Sequence, residues 1–70
     1  MKPFRSYPSR HRTNTERSAR TNAQPAIFEE PDGTTTPGVV ILRGRYFLGI
    51  LTIEDALRLS NELVDIAEKS

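Results

Sequence analysis

Cysteine and tryptophan are absent from these 70 residues, histidine occurs once, and residues 1–24 contain no Leu, Ile or Val. Without cysteine there is no disulfide framework, no thiolate metal site and no cysteine nucleophile. The single histidine, His11, lies in a polar stretch with no neighbouring ligand set, so no metal or other cofactor is expected. No apolar run is long enough for a membrane-spanning helix, and the first residues lack the apolar core of a secretory signal. Their Arg- and Ser-rich, acid-poor composition is that of a transit peptide, but no apolar helical face accompanies it. The expected compartment is the cytoplasm, bacterial or host.

Catalytic groupings are equally scarce. No glycine-rich phosphate loop occurs, and the serines and threonines have no base nearby. Glu29 and Glu30 are neighbours, and on a strand they point to opposite faces rather than to one ligand. The remaining carboxylates fall in the pattern of a helix cap and a solvated helix face. An enzyme is not expected.

Apolar side chains become frequent only from Ala26 onward, which divides the chain into an arm, residues 1–25, and a small domain, residues 26–70. A folding unit of about 45 residues is near the size at which a core alone barely suffices. With disulfides and metals set aside, a partner chain is the remaining source of stability, and a homodimer is expected. The net charge of +1 conceals two opposed segments. In residues 1–24, Lys2, Arg5, Arg10, Arg12, Arg17 and Arg20 stand against Glu16 alone, a surplus of five. The rest of the chain carries four cations and eight carboxylates. A basic arm on an acidic body suits an acidic partner: nucleic acid, or an acidic protein surface.

The arm, with three prolines and many Ser, Thr, Asn and Arg residues, has too little apolar surface to repay ordering and reads as disordered. Thr13 and Glu16 stand at capping-box spacing, so a short helix over 14–20 could form on a partner. Ile27 and Phe28 begin a short strand, and Pro31-Asp32-Gly33 is a turn. GVVILR and YFLGIL on either side of Arg43-Gly44-Arg45 read as a hairpin with a loop of two or three residues. Plain alternation puts Tyr46, Leu48 and Ile50 on one face and Phe47, Gly49 and Leu51 on the other. Likewise Val39 and Ile41 oppose Val40 and Leu42, so both faces are apolar.

Residues 53–69 make an amphipathic helix. Thr52 is the N-cap, Glu54 and Asp55 lie in the first turn, and Lys69 lies in the last. Glu54 and Arg58 are spaced as an i,i+4 pair. Ile53, Ala56, Leu57, Ser60, Leu63, Val64 and Ala67 form the core-facing stripe, with Leu59 and Ile66 apart from it. The fold class is therefore α+β: a small antiparallel hairpin or three-stranded sheet packed on one C-terminal helix, with a disordered basic N-terminal arm. One helix covers one sheet face, so an interface is expected at Val39, Ile41, Tyr46, Leu48, Ile50, Leu59 and Ile66.

The expected function is non-enzymatic interaction, with nucleic acid engaged by Lys2, Arg5, Arg10, Arg12, Arg17 and Arg20 and by Arg43 and Arg45 at the hairpin tip. Arginines neutralise phosphates, and Phe4 and Tyr7 can stack on unpaired bases. Two alternatives use the same features: a protein-binding inhibitor or regulator docking through its apolar sheet face, and a phage structural protein whose arm threads between subunits.

The segment YFLGILTIEDALRLSNELVDIAE resembles one found in small uncharacterised proteins of actinobacteria and their phages. There a strand ending in Leu-Thr or Leu-Ser runs into a helix of the form E-D/E-A-x-x-L-x-x-x-L-V-D-x-A-E. Leu51, Thr52, Glu54, Asp55, Ala56, Leu57, Leu59, Leu63, Val64, Asp65, Ala67 and Glu68 carry the likeness, about a third of the chain. The junction Thr52, Glu54, Asp55, Ala56 is also similar to that of HicB-type antitoxins, which implies a toxin or regulatory partner. The chain is short for that family and lacks its separate DNA-binding domain.

Overall fold

The computed structural model describes residues 2–70; Met1 lies outside the described residues. After an irregular stretch, Pro8–Arg10 make one 3-10 turn and lead into helix α1, His11–Arg20. Three strands follow, β1 Thr21–Glu29, β2 Thr35–Arg43 and β3 Tyr46–Thr52, and helix α2, Ile53–Lys69, closes the chain. The strands form one antiparallel meander in the order β1-β2-β3. The fold is α+β, as its sequence pattern implies.

The first hairpin turns on Pro31-Asp32-Gly33. Gly33 N–H donates to the Glu30 carbonyl at 3.0 Å, and Glu30 N–H donates to the Thr34 carbonyl at 2.8 Å. Gly33 occupies the left-handed region at φ +88°, which makes a three-residue loop with a bulge. Asp32 accepts from the Thr34 hydroxyl at 2.7 Å and the Thr34 amide at 3.0 Å. Those two bonds favour the ionised carboxylate and hold its pKa below the ordinary Asp value. A depressed carboxyl stabilises the folded turn above the unfolded Asp pKa, and that contribution disappears as pH falls through the folded value. Thr34→Val should move the Asp32 titration upward toward the ordinary Asp range in a carboxyl NMR titration.

The second hairpin has a two-residue loop, because Arg43 pairs directly with Tyr46. Gly44 has φ +61° and Arg45 has no positive φ, the pattern of a type II′ turn, whose first central position favours glycine. Arg43 also lies over the Tyr46 ring, 5.0 Å from its centroid. A β-bulge falls between Ile41 and Leu42: Ile41 pairs with Gly49, whereas Leu42 pairs with Phe47, leaving Leu48 extra. The bulge changes the faces that plain alternation predicts. Phe47 joins the face of Leu42, Val40 and Ile50, while Tyr46 moves to the face of Ile41 and Leu51.

In α2 the Thr52 side chain accepts the Asp55 amide at 3.1 Å, a cap worth about 1 kcal/mol. Arg58 does not pair with Glu54; it reaches Asp55 at 3.6 Å and Glu62 at 2.8 Å. The core-facing stripe also needs correction. Ala56, Leu59, Ser60, Leu63 and Val64 line the cleft against the sheet, so Leu59 belongs to the sheet side. Leu57 is instead 64% exposed.

The arm expected to be disordered differs most. Residues 8–20 are helical, and residues 21–25 are the first half of a nine-residue strand that pairs with β2 along its whole length. Strand pairing is made by backbone N–H and C=O groups, so the apolar-poor run Thr21-Asn22-Ala23-Gln24-Pro25 joins the sheet without large apolar side chains. The capping box at Thr13 and Glu16 is not formed. Helix α1 starts at His11 without a side-chain cap, and Glu16 instead accepts from Arg12 at 3.2 Å.

Candidate nucleic-acid interface

Helix α1 ends against the β2–β3 turn. The Arg20 carbonyl, exposed at the helix terminus, accepts the Gly44 amide at 2.9 Å and the Asn22 side-chain amide at 3.1 Å. Thr21 ends the helix by donating its hydroxyl to the Arg17 carbonyl at 2.9 Å, and it pairs with Arg43 across the sheet. The Arg20 guanidinium lies over Gly44: a Cβ added there would stand 2.8 Å from Arg20 Nη2. The last turn of α1 and the tip of the second hairpin are thus one structural unit.

That unit gathers Arg17, Arg20, Arg43 and Arg45, four residues from two separate parts of the sequence. Among the described residues, ion pairs involve only Arg12, with Glu16, and Arg58, with Asp55 and Glu62. None of the four clustered arginines has a carboxylate partner. Four guanidinium groups at one end of a small molecule repel one another, and an anion would relieve that repulsion. At the opposite end of the β1–β2 ladder lie Glu29, Glu30 and Asp32, so the molecule is electrically polar along its strands.

The other residues expected to meet nucleic acid fall on either side of this unit. Lys2 and Arg5 lie in the exposed irregular stretch, with Phe4 and Tyr7 also exposed. Arg10 precedes α1, and Arg12 lies on α1, bridged to Glu16. Asn22 was not foreseen at this site. Its signal is the alternation of Asn22 and Gln24 with Ala23 and Pro25, a strand pattern of period two that continues into Ile27 and Phe28.

The seven residues expected to form one interface are divided by the structure. Val39, Ile41 and Leu59 line the cleft between the sheet and α2. Ile50 belongs to the opposite sheet face, Tyr46 lies under Arg43, and Leu48 is the extra residue of the bulge. Ile66 is exposed near the end of α2. The bulge is the physical reason: it breaks the period of two on which the common face was assumed.

No group of three or more His, Asp or Glu side chains converges as a metal site among the described residues. No helix among them is long and apolar enough to cross a membrane. No family model matches the chain, and neither a curated protein nor a solved structure shows significant similarity to it.

Proposed function

We propose that this chain is a non-enzymatic nucleic-acid-binding protein that grips backbone phosphates with the basic end built from Arg17, Arg20, Arg43 and Arg45. The observation that supports the reading is the joining of α1 to the hairpin tip through the Arg20 carbonyl and the Gly44 amide. It holds four unpaired cations on a supported turn rather than scattering them along a tail. Lys2, Arg5 and Arg10 extend the same positive end toward the N-terminus. Phe4 and Tyr7 supply exposed rings that can stack on unpaired bases.

Binding of the full chain to a fluorescein-labelled 20-base-pair duplex, followed by anisotropy from 50 to 200 mM salt, tests this. Four phosphate contacts give a log–log slope of about −3.6 on duplex DNA. Absence of binding at 50 mM salt, to the duplex and to the corresponding single strand alike, would overturn the proposal.

A further inference from the structure

The single chain has almost no interior. Gly38 is the one buried residue among those described, and no apolar side chain is buried. Its accessible surface is 6547 Å², whereas a folded monomer of 7.9 kDa exposes about 4,400 Å². The excess is about 2,100 Å² per chain. The radius of gyration, 15.2 Å, likewise exceeds the ~11 Å of a compact chain of this length.

The uncovered apolar surface is concentrated on the α2 side. An open cleft of about 320 Å³ runs between Val39, Ile41 and Leu51 of the sheet and Leu59, Leu63 and Val64 of the helix. It adjoins a second hollow, of about 470 Å³, with which it shares Ala23 and Val39. No charged residue lines either one. The opposite sheet face is mixed: Asn22, Gln24, Thr36 and Thr52 border its apolar residues, a composition that tolerates water. Apart from Gln24 at the rim of the second hollow, the strand residues that line the trough are Ala, Val, Ile, Leu, Pro and Gly.

We infer that a second copy of this chain fills the trough, the two copies related by a two-fold axis that sets α2 of each against the cleft of the other. The area fits. Two chains hold about 4,200 Å² of excess surface, and even half of it lies within the ~2,000–5,000 Å² of obligate homodimers. The shape fits a two-fold axis as well. Each chain carries both the hollow and, along the same helix, exposed apolar side chains at Leu63 on its rim and at Ile66, 61% and 66% exposed, so one rotation satisfies both at once. A net charge of +1 sets little repulsion against pairing.

Sedimentation equilibrium of the full chain from 1 to 100 µM should give twice the mass of 7.9 kDa, with a thermal midpoint that rises with concentration. Leu63→Arg should weaken association about 100-fold or more, by placing an unpaired charge in the trough. Phe47→Arg, on the opposite face, should leave the mass doubled. Because Leu63 is mostly exposed in one chain, a lone chain would tolerate the arginine; loss of the dimer and loss of folding in this variant both follow from the interface. A folded monomer at 100 µM, a wild-type chain unfolded at every concentration, open-ended larger assemblies, or Leu63→Arg with unchanged mass and melting would each overturn the inference. Dissociation by Phe47→Arg instead would also overturn it, placing the contact on the other face.

Discussion

Glutamine at Arg17, Arg20, Arg43 and Arg45 together is expected to flatten the salt dependence of nucleic-acid binding by about 3.6 in log–log slope, at ~0.9 per phosphate contact. Between 50 and 200 mM salt these four contacts account for roughly a 100-fold change in affinity, and the variant should keep only the salt dependence contributed by Lys2, Arg5 and Arg10. Glutamine removes the charge, and the stacking of Arg43 on Tyr46 that is lost with it is an exposed contact worth only about 0.5–1 kcal/mol. Circular dichroism should therefore remain that of the parent. Arg58→Gln is the matched control. That guanidinium is already engaged by Asp55 and Glu62 on α2, and its removal should leave the slope unchanged. Equal slopes for the parent and the fourfold variant would remove the basic end from the binding surface.

Gly38→Ala is expected to destabilise the fold by about 1–3 kcal/mol, the range of overpacking in a filled site. The added Cβ would meet Phe28 Cε2 at 2.6 Å and the Leu51 carbonyl oxygen at 2.8 Å. The Phe28 ring can turn away, but the carbonyl belongs to the backbone of β3 and moves only by deforming the β2–β3 ladder. Strand propensity favours alanine over glycine, by about 0.5–1 kcal/mol, so the close contact decides the sign. In a chain this small, where total stability is ~3–5 kcal/mol, such a loss removes a large share of the margin and should lower the melting midpoint clearly. Gly49→Ala supplies the contrast: nothing lies within 4 Å of its added Cβ, and it should be neutral or slightly stabilising. Thermal melts at equal chain concentration check both. A Gly38→Ala midpoint matching the parent would show that the β2–β3 ladder yields at no cost.

The legible parts of the fold were the local ones. Thr52 followed by Glu54 and Asp55 marks a helix start through bonds made within one turn, and the Thr52–Asp55 cap forms as the spacing implies. Gly33 and Gly44 mark turns because those backbone conformations favour glycine within a few residues of chain. Of the candidate site, the arginines themselves were legible as a charge excess. Their assembly was not, because Arg20 and Gly44 are far apart in sequence and meet only through a bond between main-chain atoms. A carbonyl and an amide leave no mark in the residue types that carry them.

Three matters were therefore decided by the tertiary structure alone. Residues 21–25 become a strand because β2 offers unpaired backbone groups to them, and not through their own apolar content. The bulge between Ile41 and Leu42 exchanges the faces of Tyr46 and Phe47 relative to Ile50 and Leu51, a change of register that the residue types alone permit in either direction. Leu59 rather than Leu57 turns toward the sheet because the crossing of α2 over the strands, and not the width of its apolar stripe, sets which side is covered. By itself the sequence determined where turns and the C-terminal helix begin, since those depend on bonds between near neighbours. Which strands pair, in what register, and which arginines share one end depend on contacts between distant residues, and only the folded chain brings those together.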